Sequence, residues 1–363
     1  MQPLHDQICH ICQRNGRMTD TFEDSESQRV LRAPLLARMA RFEKPSTARA
    51  VVQLADTLIP YFALICLMIF STQQGWPKWS TLMLSLPAGA FLVRIFIFFH
   101  DCCHGSYLVS RRAMSALGFF LGVLTFTPFG EWRLSHGIHH STSGNLDRRG
   151  TGDVWTMTLK EFQASPWHIR IKYRLFRNPL VMFGLGPLFT FVIGQRFPAR
   201  KSGKRQVKSV ILTDIALLAI IITASLTIGL QAYLLIQLPV MFFAGLGGIW
   251  LFYVQHQFDP SYWARSSDWN PVEAALQGSS FYKLPKLLQW FSGNIGLHHI
   301  HHLRPRIPNY NLQTCLDQLP ELQLPSPLTL RKSLGSIYLN LWDEAQHRLL
   351  SFREAGVLQK HRG

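Results

Sequence analysis

Four apolar segments, each about as long as a lipid bilayer is thick, place the strongest constraint on the fold of this chain. They cover residues 51–72, 79–99, 209–230 and 232–254. A helix needs about 20 predominantly apolar residues to cross the hydrocarbon core of a membrane, so we predict four transmembrane helices. Two shorter apolar runs, at residues 114–129 and 179–197, are interrupted by Gly and Pro. We expect these two runs to form interfacial or re-entrant helices.

The composition agrees with a membrane protein. Of 363 residues, 47% are hydrophobic and only 16% are charged. A disordered chain would be poor in aromatic residues, and an ordinary soluble domain would have about a quarter of its residues charged. Cys9-x-x-Cys12 with His10 lacks the second ligand pair that a zinc site needs. We interpret residues 1–45 as a cytoplasmic tail without a secretory signal, with Met18 as an alternative start, and residues 356–363 as a C-terminal tail.

Histidines cluster at or beyond the ends of the apolar segments. The candidates are His100 and His104; His136, His139 and His140; His298, His301 and His302; and His256 just past the fourth span. On a helix, residues at i, i+3 and i+4 share a face, so each cluster presents its imidazoles together. His299 lies about 100° away from His298 on such a helix and is left out. Nine imidazoles are too many for one metal ion but suit two, and neutral imidazole binds Fe, Zn, Cu and Ni alike.

A shared metal site requires all of the clusters to lie on one side of the membrane. An even number of crossings must then separate each pair of clusters, so neither short run can span and four crossings remain. Basic residues at 32–49 and 196–208 place both termini and every cluster in the cytoplasm by the positive-inside rule. These basic stretches adjoin membrane segments and lack interleaved aromatic residues, which indicates contact with anionic membrane lipids and not with nucleic acid. The predicted fold is an all-α integral membrane protein with a cytoplasmic, histidine-rich catalytic cap.

Acidic residues beside the clusters are candidates to orient the imidazoles. A metal-bound histidine usually donates its other ring N–H to a carboxylate or carbonyl, which fixes the tautomer. Asp101, Asp147 and Asp153 stand next to the first two clusters. The alternative is that they are ordinary surface acids of the loops.

The pattern HxxxH, HxxHH, HxxHH at the ends of membrane helices resembles that of the membrane fatty acid desaturases. Longer stretches are similar to bacterial acyl-lipid desaturases, including the Bacillus-type Δ5 enzymes. These stretches are FHDCCHGS (99–106), SHGIHHSTSGNLDRRGTGDVW (135–155), LFYVQHQF (251–258), QGSSFYKLPKLLQW (277–290) and GNIGLHHIHHLRPRIPNYNL (293–312). The resemblance runs over about residues 45–355, so we place a desaturase domain at residues 46–355 in a bacterial cytoplasmic membrane.

The resemblance implies a non-haem di-iron centre that uses O₂ and two electrons to form a double bond in an acyl chain. The eight box histidines match directly, and His256 matches an extra histidine of the family. In the animal acyl-CoA branch an Asn four residues before that histidine takes part through water. Here that position is Phe252, so we consider Asn294, one turn before His298, as a substitute. The chain has neither a Gly-x-Gly-x-x-Gly nor a His-Pro-Gly-Gly motif, so we expect an external electron donor of ferredoxin or flavodoxin type.

The sequence alone leaves other functions open. A hydroxylase or ketolase of the same superfamily would use the same centre, whereas a membrane metal transporter would place its ligands near the bilayer midplane. A soluble-type di-iron bundle needs two Glu-x-x-His pairs, and the chain has only Glu344-x-x-His347. The resemblance favours a Δ5 double bond over Δ9, Δ12 or ω3. The acyl carrier, which we expect to be a lipid, and the oligomeric state are open.

Overall fold

The computed structural model describes residues 34–200, 202–324 and 326–362. Most of the tail predicted for residues 1–45 lies outside the described residues, including Cys9, His10, Cys12 and Met18. The part that is described is helical over residues 34–39 and forms a 3-10 turn at Ala40–Glu43. Met39 and Phe42 are buried against Leu312 and Leu316. The end of the predicted tail is therefore packed against the rest of the protein.

Helices account for most of the described residues. In chain order they are α1 (Thr47–Gln73), α2 (Lys78–His104), α3 (Arg111–Leu124), α4 (Phe129–Thr142), α5 (Leu159–Ala164), α6 (Trp167–Phe176), α7 (Leu180–Arg196), α8 (Lys204–Thr227), α9 (Leu230–His256), α10 (Pro271–Gln277), α11 (Lys286–Phe291), α12 (His298–Leu303), α13 (Asn309–Gln318), α14 (Leu330–Ser333) and α15 (Phe352–Arg362). Short 3-10 segments lie at Pro320–Leu322 and Leu334–Tyr338.

Four of these helices, α1, α2, α8 and α9, are long and apolar enough to cross a membrane. They coincide approximately with the four segments predicted from the sequence, so the prediction of four membrane-capable helices is confirmed. Most helix ends lie beyond the predicted limits because polar residues continue the helical hydrogen bonding past the apolar run, whereas α8 ends at Thr227, three residues before its predicted end. In α2 this extension carries the chain from residue 99 to His104.

The two shorter apolar runs form bent pairs. The axes of α3 and α4 meet at 98°, and those of α6 and α7 at 56°. The predicted run 114–129 therefore divides at the turn between Leu124 and Phe129, and the run 179–197 corresponds to α7. Much of α7 has the wider π-helical hydrogen bonding, at Leu180–Leu185 and Phe189–Ile193.

Helix α2 is the centre of the bundle, with α1 and α9 packed against it. Gly89 permits the close approach of α9, since a Cβ atom there would lie 2.8 Å from Phe243 Cβ. Leu92, Phe98 and Met241 are buried in this core. Because α2 and α9 both end in histidines at the same end of the bundle, this packing fixes the positions of those rings.

Arg94, within α2, is buried and ties three elements together. Its Nε donates to Thr57 Oγ1 at 3.0 Å, and Asp56 lies 3.9 Å from Nη2. Its guanidinium also lies over the Trp290 ring of α11, 3.9 Å from the centroid. A charge in a span is costly unless it is paired, and this arrangement supplies the pairing.

The described residues also form five strands of two or three residues, so the all-α prediction is confirmed only as a mostly helical fold. They are β1 (Met157–Thr158), β2 (Tyr282–Lys283), β3 (Leu328–Thr329), β4 (Leu341–Asp343) and β5 (Arg348–Leu350). One sheet has the order β1-β4-β5, with Met157 beside Leu341 in parallel register and Leu341 beside Leu350 in antiparallel register. The strands β2 and β3 pair in parallel. Strands this short carry no periodic signal that a sequence could reveal.

Arg177, at the end of α6, joins this sheet region to α9. Its Nη2 donates to Gln257 Oε1 at 2.9 Å, to Tyr253 Oη at 3.2 Å and to the Leu339 carbonyl, while Nη1 donates to the Trp155 carbonyl at 3.3 Å. The side chain is buried. We call these contacts the Arg177 network.

Candidate metal centre

Five of the predicted histidines form a first group. They are His100 and His104 of α2, His136 and His140 of α4, and His301 of α12. One ring nitrogen of each lies within 4.8 Å of those of all the others. The Nε2 atom of His140 is 3.0 Å from that of His136 and 3.1 Å from that of His301. Three elements that are distant in sequence thus bring five imidazoles to one place.

The other four form a second group, made of His139, His256, His298 and His302. The Nε2 atom of His256 is 3.1 Å from that of His139 and 3.0 Å from that of His298. The Nε2 atom of His302 is 3.1 Å from that of His298. All nine predicted histidines therefore lie in two adjacent groups.

The helices α4 and α12 each contribute to both groups. In α4, His136 and His140 are one turn apart and face the first group, while His139 faces the second. In α12, His298 and His302 face the second group and His301 the first. Consecutive residues on a helix differ in direction by about 100°, which allows a helix placed between two centres to serve both. The sequence did not predict this division.

The arrangement fits metal ions. Histidine nitrogens bind zinc, for example, at about 2.0–2.1 Å, so two ligands at right angles lie about 3 Å apart. The measured separations of 3.0–3.1 Å within both groups agree with this value. The buried Nε2 atoms of His100 and His104 have no hydrogen-bond partner among the residues that the structure describes. Buried polar atoms left unpaired are costly, and a bound cation would satisfy them.

Burial lowers the pKa of five of the histidines in the two groups, and the neighbouring imidazoles lower it further. This holds for His136, His140, His298, His301 and His302. The lowered pKa values keep these rings neutral at physiological pH. Neutral imidazole is the form that binds a metal.

Two of the four other predicted site residues contact the histidines. Asp153 Oδ1 lies 2.6 Å from His139 Nδ1, and Asp101 Oδ1 lies 3.2 Å from His100 Nδ1. Asp101 is itself held by Asn309, whose backbone N–H and side-chain amide donate to Oδ2 at 2.7 and 2.9 Å. The backbone carbonyl of Gly278 lies 3.3 Å from His256 Nδ1. These acceptors can fix the tautomers of three rings.

Asp147 and Asn294 are engaged elsewhere. Asp147 accepts hydrogen bonds from Arg265 Nη1 at 2.7 Å and from the Ser266 backbone at 2.8 Å, on the protein surface. Asn294 donates to the Asn309 carbonyl and accepts from Gln289, both at 3.0 Å. Neither side chain is in one of the two groups, because local contacts of their loops hold them.

Aromatic rings cover the two groups. Phe252 lies against His139 and His256, with centroids 5.3 and 5.4 Å apart. Trp132 is stacked on His136 at 4.1 Å. The sequence analysis missed Trp132, although its position one turn before His136 on the same helix was a usable signal. His299, which the sequence analysis excluded, is tied to the Leu322 carbonyl through Nε2 at 2.9 Å.

A cavity of about 220 Å³ leads from the histidines along α2 and α9, and α7 also lines it. His100, His136 and His298 form part of its wall. On α9 the lining residues extend from Met241 to Gln255, which is about 21 Å of helix. This extent makes the cavity long relative to its volume. Because its lining is also mostly apolar, the cavity suits an extended hydrocarbon chain.

Comparison with known proteins agrees with this geometry. The family model "Fatty acid desaturase" matches residues 75–333. The sequence is 44% identical over 319 residues to the "Fatty acid desaturase" of Bacillus subtilis (strain 168), a match that covers 88% of this chain and 90% of that relative. The chain belongs to the fatty acid desaturase family. The desaturase is thus an oxidoreductase, as the resemblance in its histidine motifs implied.

Two further relatives of the desaturase are more distant. The "sn-1 oleoyl-lipid 12-desaturase" of Synechocystis sp. is 27% identical over 290 residues, covering 77% of this chain and 78% of the relative. The chloroplastic "sn-2 acyl-lipid omega-3 desaturase (ferredoxin)" of Arabidopsis thaliana is 25% identical over 258 residues, covering 66% and 54%. Both names describe desaturation of acyl chains carried on lipids.

Proposed function

We propose that the desaturase forms a cis double bond in a lipid-linked acyl chain, using O₂ and two electrons, at a site that holds two iron ions. The first histidine group would hold one ion and the second group the other. The single observation that carries this proposal is the apolar cavity, which ends on histidines of both groups. A site that binds metal and a space that accommodates a hydrocarbon chain meet there.

The residues of the chain have three tasks in this reaction. The cavity walls hold the acyl chain extended and exclude water from the reacting carbons. Asp153 and Asp101 accept from the Nδ1–H groups of His139 and His100, which leaves Nε2 of each ring free to bind metal. Iron supplies the oxidising power, because acids, bases and nucleophiles do not attack an alkyl C–H bond.

We also propose four membrane crossings, with both termini and the histidine groups in the cytoplasm. The convergence of α2, α4, α9 and α12 on two adjacent groups supports this arrangement, since an extra crossing by α3–α4 or by α6–α7 would separate them. The bends of 98° and 56° would occur in re-entrant pairs as well as in broken spans, and the convergence of the histidines favours re-entrant or interfacial pairs. The basic segments at 32–49 and 196–208 then face anionic lipid headgroups.

The names of the relatives support a proposal for the substrate and the electron donor. Their names specify oleoyl-lipid and acyl-lipid substrates, and one specifies ferredoxin. We propose an acyl lipid as substrate and a ferredoxin or flavodoxin as donor, with Δ5 as the position of the double bond. The nearest alternative is a hydroxylase or ketolase reaction at the same centre.

Mass spectrometry of fatty acids from a host that expresses the chain tests the proposal. The wild type should yield a new double bond at Δ5, and its formation should require iron and O₂. His139→Ala and His301→Ala, one from each group, should abolish the product while membrane insertion is retained. His299→Gln is the matched control, because His299 lies in α12 but in neither group, and it should retain the product. Hydroxylated or oxo acids in place of alkenes would favour the alternative.

A further inference from the structure

Three of four consecutive residues of α9 are glycines, at positions 245, 247 and 248, and packing explains two of them. A Cβ atom at Gly245 would lie 2.9 Å from Pro187 Cβ, and one at Gly247 would lie 3.1 Å from Val93 Cγ2. At Gly248 a Cβ atom would meet nothing within 4 Å. Glycine is a poor helix former, so helix stability does not account for Gly248, and neither does close packing.

Gly248 lines the cavity. It precedes His256 by eight residues, which is about 12 Å along the helix axis. The lining residues of α2 and α9 at this level and farther from the histidines are Leu92, Met241, Ala244, Gly245 and Gly248. None of these has a polar side-chain atom. The space beside Gly248 is therefore open and, on its α2 and α9 sides, apolar and remote from the metal centre, while α7 adds Phe191 and the polar Thr190 and Gln195 to the cavity lining.

We propose that Gly248 is a specificity-determining residue, which keeps the cavity open for the methyl end of the acyl chain. The proposal rests on the proposed function. A carboxyl ester in this part of the cavity would lose its hydrogen bonds to water without replacement, so the apolar end must receive the hydrocarbon terminus. The missing side chain at residue 248 then sets how many methylene groups fit between the reacting carbons and the end of the cavity.

The series Gly248→Ala, Gly248→Val and Gly248→Leu tests this assignment in a host fed myristic, palmitic and stearic acids. Each larger side chain should take more of the cavity, so products of the longer acyl chains should disappear first. One methylene in an apolar pocket changes specificity by about tenfold or more, so we expect the stearoyl-to-myristoyl product ratio to fall at least about tenfold in the leucine variant. A shift of the stearoyl double bond towards the methyl end would support the same conclusion.

Gly184→Leu is the matched control, because Gly184 is an exposed residue of α7 with open space around it and does not line the cavity. It should leave the product profile unchanged. Iron content of each purified variant reports an intact site independently of turnover. A wild-type chain length and position profile in all three Gly248 variants, or an equal loss for every chain length, would overturn the assignment. A wild type without any new double bond would instead refute the proposed function.

Discussion

Asp153 and Asp147 both follow the second histidine cluster, but their surroundings differ. Asp153 is buried and lies 2.6 Å from His139 Nδ1. Asp147 is on the surface, paired with Arg265. The loop between α4 and β1 turns the first carboxylate inward and the second outward.

We expect Asp153→Asn to lower iron affinity and turnover by about 10–100-fold, the usual effect of removing an acceptor behind a metal-bound histidine. The amide can donate to His139 Nδ1 and so favour the wrong tautomer. Iron content of the purified protein and product formation would measure the effect. Asp147→Asn is the control and should change both only slightly, because an exposed ion pair contributes little. Equal losses in the two variants would contradict the role assigned to Asp153.

At the scale of residues, the sequence indicated which side chains form the site but not how they are shared. The i, i+3, i+4 spacing selected eight of the nine histidines, and His256 was selected by its position just past the fourth span. The spacing could not assign His139 and His301 to different groups from their neighbours His140 and His302, because that depends on where the helix axes lie between the two centres. For the same reason it could not separate Asp153 from Asp147.

Among the helices and strands, the Arg177 network shows how the sheet region is held to the membrane-spanning part. Arg177 lies just beyond α6, and its acceptors come from the end of α9 and from the loop before β4. Arg177, Tyr253 and Gln257 are buried, and Leu339 is partly buried. The side chain of Arg177 therefore holds α6, α9 and the loop before β4 together.

Arg177→Ala should destabilise the protein by on the order of 3 kcal/mol, since it leaves buried acceptors without a donor. The temperature at which the purified protein loses its fold should fall accordingly. Arg174→Ala on the same helix is the control. Arg174 is exposed and lies over the rings of Phe162 and Phe352, so a much smaller change is expected. Comparable losses for both arginines would argue against the network.

The long apolar helices could be predicted from the sequence, whereas the short turn between α3 and α4 and the short strands could not. The four spans were found because each has a full bilayer length of apolar residues. Residues 114–129 were predicted as one helix, so the turn between α3 and α4 was missed. Phe126 and Thr127 in this turn are as apolar or as uncharged as the residues around them and gave no signal for it. The strands β1 to β5 were missed since two or three residues cannot show alternation.

For the whole molecule, the formal net charge of +16 bears on the encounter with the electron donor. Oppositely charged partners associate faster at low salt, and the effect fades as the Debye length shortens. With an acidic ferredoxin, kcat/KM for the donor should fall by about tenfold or more as ionic strength rises from about 0.01 to about 0.5 M. The kcat at saturating donor should stay constant, which separates docking from damage to the enzyme. A salt-independent kcat/KM would exclude electrostatic steering.

The sequence was sufficient to predict four membrane-capable helices and a shared histidine site, because convergence of the histidines limits the possible number of crossings. The cavity could not be predicted, since its volume depends on how α7 packs on α9. Gly245 and Gly248 look equivalent in the sequence and both line the cavity, yet an added Cβ atom would meet Pro187 at Gly245 and open space at Gly248.

Each histidine group joins segments that lie far apart in the chain, from α2 to α12 in the first and from α4 through α9 to α12 in the second. An ion bound there would act as a cross-link, so its loss should make the protein easier to unfold and to digest. We therefore expect cells starved of iron to degrade the desaturase faster. The fluidity of their membranes would then respond to nutrient supply through protein turnover as well as through reaction rate.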